Sequence, residues 1–367
     1  MPLKTLSGKH ADPRKGRGAG INPEGRFETV VRESFDDGWE RQEEDLPPLK
    51  THVTAERVAS IIAHNESPDV PFTQSINPYQ GCEVGCVYCY ARPTHAYRNL
   101  SPGIDWETRL FAKVNAAEKL REELSRPSYR CDVISIGANT DPYQPIEKDY
   151  RITRGILEVC AEFNQPFGIV TKNAMVERDL DILVPMARER LANVFISVNN
   201  LDHDLARKLE PRCSAPARRL QAMKKLSDAG VPVGVLCAPV IPFLTDHQIE
   251  AVLEAAWEHG ARQAGYVLMR LPWEVKDLFK DWLERHYPLK AKHVMSRVHA
   301  MRGGRDNDPG FGSRMRGTGE LAALLAQRFK KACQRLGFNA EPRNGGLDTT
   351  QFRRPGRPGQ LPLFADE

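Results

Sequence analysis

The sequence predicts an α/β protein built as a complete or partial (β/α) barrel, and three observations carry that expectation. Five short apolar runs, Val133 to Ile136, Phe167 to Val170, Val194 to Val198, Val231 to Val240 and Gly265 to Met269, start roughly 27 to 37 residues apart, the length of a strand, a loop, a helix and the return. The runs are apolar at nearly every position, which fits strands covered on both faces as in a parallel sheet. The stretches between them have helical spacing. In ITRGILEVCAEF, Ile152, Ile156, Val159, Cys160 and Phe163 recur on one face, and a second helix runs from Asp246 toward a stop at Gly260. Barrels of this kind carry their chemistry at the C-terminal ends of the strands.

A chain of 367 residues can bury one large domain with extensions. With 41% apolar and 27% charged residues and a formal charge of +4, its average charge does not call for a polyanionic partner, so local clusters must carry any such argument. The opening MPLKTLSGKHADPRKGRG lacks the apolar centre of a signal peptide, and no run approaches the roughly 18 apolar residues of a membrane span. These features predict a cytoplasmic protein without a membrane partner. Eight cysteines without a secretory signal argue for metal binding or catalysis over a disulfide framework.

Four regions are expected. Residues 1–50, rich in Lys, Arg, Gly, Pro and acidic residues, read as a disordered or extended basic arm. Residues 51–272 hold the barrel. Residues 273–340 form a helical extension, with DLFKDWLERHYP and GELAALLAQRFKKACQRLG flanking the Gly/Arg-rich loop RGGRDNDPGFGSRMRG, and residues 341–367 read as a flexible tail.

The cysteines cluster once. In NPYQGCEVGCVYCYARPTHAY, Cys82, Cys86 and Cys89 have the spacing C-x3-C-x2-C on a loop just after a strand expected to end near Ile76. Three thiolates holding an iron–sulfur cubane leave one iron open to a further ligand. A structural zinc site would need a fourth Cys or His, for which His95 is the nearest candidate, and no second ligand pair is evident. Cys131, Cys160, Cys213, Cys237 and Cys333 are isolated and read as core residues.

The motif, with Tyr88 just before its last cysteine, resembles that of the radical S-adenosylmethionine (SAM) superfamily. With GANTDPYQPIE, the triplet TKN and the stretch EPR to RRL, the chain resembles more narrowly the spore photoproduct lyase-like branch, and an uncharacterised subgroup within it. The resemblance runs from about residue 15 to 345 and is strongest between 75 and 240. It implies a partial (β/α)6 TIM-like barrel of the radical SAM type. It further implies a 4Fe-4S cluster on Cys82, Cys86 and Cys89, with SAM at the open iron and an external low-potential electron donor. Such an enzyme cleaves SAM to a 5'-deoxyadenosyl radical, chemistry that belongs to the cofactors. Tyr88, Asp141, Lys172, Ser197 and Arg219 occupy positions where that branch contacts SAM; each also has an ordinary reading as a strand end or salt-bridge partner. One position departs from the branch. Where spore photoproduct lyases carry a hydrogen-donating cysteine, this chain has Ala138, followed by Asn139.

Two stretches could meet phosphate: Lys4, Lys9, Arg14, Lys15 and Arg17 in the arm, and Arg302, Arg305, Arg314 and Arg316 in the later loop, which also holds Asp306 and Asp308. After RRPGRPG the chain ends in QLPLF and three further residues. This resembles the peptide by which bacterial polymerases and repair proteins dock on the sliding clamp, with Leu361, Leu363 and Phe364 supplying apolar contacts and Gln360 a polar one. The sequence therefore predicts a radical SAM enzyme acting on a nucleic acid base or lesion, with DNA favoured. RNA is the rival substrate, and a non-catalytic clamp adaptor stiffened by metal is the rival class.

Overall fold

The computed structural model describes residues 16–27, 49–340 and 346–355. The strands are β1 (His52–Glu56), β2 (Ala63–His64), β3 (Gln74–Ile76), β4 (Tyr79–Gln80), β5 (Arg109–Lys113), β6 (Ile134–Ile136), β7 (Phe167–Thr171), β8 (Ala192–Ser197), β9 (Val233–Val240) and β10 (Gln263–Leu268). The α-helices are α1 (Ile104–Thr108), α2 (Ala116–Ser125), α3 (Glu147–Tyr150), α4 (Ile152–Glu162), α5 (Leu180–Arg188), α6 (His203–Leu209), α7 (Pro216–Asp228), α8 (Ile249–Glu258), α9 (Val275–His286), α10 (Pro288–Ala300), α11 (Ser313–Arg316) and α12 (Gly319–Leu336).

The main sheet has the order β10-β9-β8-β7-β6-β3-β2. Its six strands from β3 to β10 are mutually parallel, and β2 adds an antiparallel edge. All five apolar runs and the strand ending at Ile76 appear in it. Ile134, Ile136, Ile169, Val194, Ile196 and Val235 are fully buried, as strands covered on both faces require. β10 and β2 are not paired, so the barrel is partial. A smaller sheet, β1-β5-β4, stands beside it; the sequence patterns did not announce these strands.

The arginine loop links the two edges. Arg302 donates to the carbonyls of Leu268 (3.2 Å) and Met269 (2.8 Å) at the end of β10 and to those of Ser313 (3.1 Å) and Arg314 (2.8 Å) within the loop. Arg314 pairs with Asp69 and Ser67 in the β2–β3 connection. On the opposite end of the strands, the chain after α12 runs beneath the sheet: Asn339 caps Ala264, and the Arg353 amide donates to Phe163. Among the described residues no helix is long and apolar enough to cross a membrane.

Candidate active site

The loop carrying the three cysteines follows β4. Gly81 and Gly85 have φ of +75° and +73°, a region where a side chain would be strained. The turns close through the Gly85 amide to the Cys82 carbonyl (3.3 Å) and the Cys89 amide to the Cys86 carbonyl (3.2 Å). The Cys82 amide donates to Trp106, the Val87 amide to Leu209, and the Arg212 amide to Val84. The loop therefore runs alongside the Leu209–Cys213 segment. Cys82 and Cys86 are buried and Cys89 is half-buried.

A charged clamp beneath the loop fixes its backbone. Arg92, fully buried, donates to the carbonyls of Cys86 (2.8 Å), Gly85 (3.2 Å), Pro102 (3.1 Å) and Gly103 (2.8 Å) and to Glu107 (2.5 Å). The Glu107 carboxylate also accepts from the amides of Gly18 and Ala19, both at 2.9 Å. Arg17 is buried too and donates to the Glu107 and Leu49 carbonyls. Residues 16–27 have no helix or strand, and they lie across the cysteine loop. Ala19 shares an apolar cluster with Cys82, Cys86 and Tyr88, and a Cβ on Gly18 would collide with the Gly85 carbonyl. The sequence held a signal for this segment in the glycines at 16, 18 and 20, where bulk is absent at alternate positions. Lys4, Lys9, Arg14 and Lys15 lie outside the described residues.

The strand ends supply the facing wall. Asp141 accepts from the Tyr143 amide, the Thr171 hydroxyl and the Lys172 amide (2.9, 2.7 and 2.8 Å). It thereby ties the turn after β6 to the end of β7. Lys172 projects among Cys86, Glu210, Cys213 and Asp141. Burial disfavours its ammonium, but the Cys86 sulfur and the Glu210 and Asp141 carboxylates outweigh burial and raise its pKa. Arg219, 1% exposed, donates to the carbonyls of Ser214 (2.7 Å) and Ser197 (2.9 Å) and to Glu210. Glu210 in turn accepts from the Tyr88 hydroxyl, which also meets Asn199. Sequence reasoning named Tyr88 and Arg219 but missed Glu210, the carboxylate between them, though it stands in the quoted EPR stretch. Ser197 is buried at the end of β8.

His95 does not approach the thiols as a fourth ligand. It is buried against Trp106 and Phe111, and burial pushes its pKa down to about 4. Cys213 instead packs against the apolar cluster that holds Cys82 and Cys86, contrary to its reading as an isolated core residue, and it lies close enough to Cys86 for each thiol to shift the other's pKa. Cys86 is held below its ordinary pKa by Cys213 and by Lys172, while burial pushes Cys82 and Cys89 up. Among the described residues no three His, Cys, Asp or Glu side chains close on one point at metal-binding distance. The donor set still suits an iron–sulfur cluster: three thiols on one buried loop, with a cation beside them to balance thiolate charge.

The sequence profile of the Radical SAM superfamily matches residues 76–256. An uncharacterized protein of Mycobacterium tuberculosis is 34% identical over 241 residues, 64% of this chain and 71% of that protein. The chain belongs to the radical SAM superfamily. Membership makes it an enzyme of that class and brings a 4Fe-4S cluster and S-adenosylmethionine as cofactors. An uncharacterized protein of Methanocaldococcus jannaschii is 28% identical over 213 residues, 58% of this chain and 76% of that protein. Among solved structures, spore photoproduct lyase complexed with dinucleoside spore photoproduct gives a TM-score of 0.55 at 16% identity, covering 78% of this chain and 80% of that one. A variant of that lyase with bound AdoMet and the same dinucleoside gives 0.53 at 15%, with the same coverage. These likenesses establish the radical SAM fold with a partial barrel.

The arginines expected to meet phosphate are mostly engaged elsewhere. Arg302 is 2% exposed and bound to carbonyls, Arg314 is paired with Asp69, and Arg316 lies 4.4 Å over the Tyr266 ring. Arg305 is exposed. Cys131, Cys160, Cys237 and Cys333 are half-buried or buried, as core residues are.

Proposed function

We propose that this radical SAM enzyme binds its cluster through Cys82, Cys86 and Cys89 and acts on a nucleic acid base or lesion, with DNA favoured. The observation that carries the reading is the buried loop presenting three thiols opposite Lys172, whose ammonium forms no salt bridge among the described residues. The cofactors together supply a 5'-deoxyadenosyl radical when an external low-potential donor provides the electron. The chain's own residues bind and orient. Lys172 would meet a carboxylate, with its backbone amide held by Asp141; Tyr88, fixed by Glu210 and Arg219, would lie beside an adenine, and Ser197 would offer a hydroxyl.

The nucleic acid reading draws on the likeness to an enzyme solved with a dinucleoside spore photoproduct. Ala138 stands where such lyases carry a cysteine, so the lesion-splitting reaction itself is not carried over. Gln360, Leu361, Leu363 and Phe364, which lie outside the described residues, would tether the enzyme to a sliding clamp. The regions proposed are the arm 1–50, the barrel 51–272, the helical extension 273–340 and the tail 341–367, in a cytoplasmic protein.

A second reading has one observation in its favour. Cys213 beside Cys86 supplies the fourth thiol that a structural zinc site requires, as in the adaptor alternative. Anaerobic reconstitution, metal analysis and a dithionite assay for 5'-deoxyadenosine separate the two. The expected result is about four irons per chain and SAM cleavage, both lost in Cys86→Ala. Stoichiometric zinc with no deoxyadenosine would sink the cluster.

A further inference from the structure

We propose that a ladder of planar side chains beside the cysteine loop, Tyr97–Phe27–Arg26–Trp273, binds an unpaired stretch of nucleic acid by stacking its bases. The proposal deepens the nucleic acid reading above and rests on it. The Phe27 and Tyr97 rings are stacked at 5.3 Å with 23° between their planes. The Arg26 guanidinium lies 5.5 Å from the Phe27 centroid and 4.3 Å from that of Trp273. Three chain segments thus contribute to one line: the strap over the loop, the 3-10 helix that follows Cys89, and the connection after β10.

The rings are open to solvent, with Tyr97 69% exposed, Trp273 62% and Phe27 49%. The line is held in place. Arg26 pairs with Glu274 at 3.1 Å and donates to the Pro93 carbonyl at 3.3 Å. Trp273 is the unusual member, with φ at +52°. Here a side-chain-bearing residue is strained and glycine is the relaxed choice, yet the chain carries its largest side chain and leaves it in water. Strain of this kind concentrates at functional positions.

The composition of the ladder selects the partner. All four groups are planar, and exposed aromatic faces beside a guanidinium form the kind of platform on which single-stranded bases stack. Because Glu274 neutralises Arg26, attraction comes from base faces more than from phosphates. Duplex DNA, whose bases are already stacked, offers those faces less readily.

The test uses the full-length holoenzyme and a fluorescent 12-nucleotide single-stranded DNA carrying 2-aminopurine. Trp273→Ala and Trp273→Gly are expected to weaken binding roughly tenfold or more and to reduce 2-aminopurine quenching, while Trp273→Phe retains most of both. The salt dependence of binding should keep its slope, whereas loss of one phosphate contact would reduce it by about 1. Trp273→Gly should leave the melting temperature unchanged or higher, which separates a binding role from a folding role. Oligonucleotide binding that is intact in Trp273→Gly and Trp273→Ala would overturn the ladder and spare the broader reading, and would leave the rings to a protein partner. A wild-type enzyme that binds neither single-stranded nor duplex nucleic acid would remove both.

Discussion

Arg92 and Arg302 hold two loops by the same device, each buried and each donating to four backbone carbonyls. They differ in charge balance. Arg92 has the Glu107 carboxylate at 2.5 Å, whereas Arg302 has no carboxylate within salt-bridge distance among the described residues, and burial lowers its pKa to about 10. The neutralised clamp lies under the cysteine loop, where the backbone must hold a fixed shape. The other joins the arginine loop to the sheet edge, where four carbonyls and the more distant Asp308 carboxylate support the charge.

The largest effects should come from unbalancing the first clamp. Glu107→Gln leaves the Arg92 charge buried without its partner and weakens acceptance from Gly18 and Ala19. Removing one member of a buried pair costs about 3–5 kcal/mol. Arg302→Met should cost less, about 1–3 kcal/mol, because lost hydrogen bonds are partly offset by removing a charge that was expensive to bury. Denaturant melts of the two apo-proteins check the order. Equal losses would mean that the carboxylate under the loop contributes nothing beyond the carbonyls.

Much of this architecture was legible beforehand, and the failures share a cause. The parallel strands could be read because strands buried on both faces are apolar along their length, and Cys82, Cys86 and Cys89 because their spacing is local. Arg92, Glu107 and Arg302 could not be read as clamps. Their partners are mainly backbone carbonyls, which have no sequence signature, and a buried arginine is written like an exposed one. The same blindness put Arg302 and Arg314 among candidate phosphate contacts. β4 has two residues, and β1 (HVTAE) and β5 (RLFAK) carry polar or charged residues in place of a continuous apolar run, so none of the three stands out. Cys213 looked isolated because its approach to Cys86 is created by pairing between the Val84–Val87 and Leu209–Arg212 backbones, a contact across more than a hundred residues of chain.

The strap sharpens the comparison within a single segment. A Cβ added at Gly18 meets the backbone carbonyl of Gly85, which cannot retreat without moving the cysteine loop, whereas one added at Gly20 meets only the flexible end of Arg285. Overpacking against backbone costs about 1–3 kcal/mol. Gly18→Ala should therefore speed iron loss to a chelator roughly tenfold and raise alkylation of Cys86 in the apo-protein. Gly20→Ala, at the cost of disturbing the largely buried Arg285–Asp281 pair, should do neither. Matching behaviour of the two variants would remove the strap from the site and leave it a surface covering.

The smallest expected effect discriminates most between chemistries. Cys213 lies near Cys86 but belongs to the neighbouring segment, and a cubane with three cysteine ligands needs no thiol from it. Cys213→Ala should keep its iron and its SAM cleavage close to wild type after reconstitution, since it removes a neighbour and not a ligand. A four-thiol zinc site responds in the opposite way, because losing one of four ligands opens the tetrahedron and releases the metal. Metal content of this one variant, measured beside Cys86→Ala, therefore asks whether the loop works with three thiols or four. A large loss in both would transfer Cys213 from a neighbour of the loop to its metal-binding set.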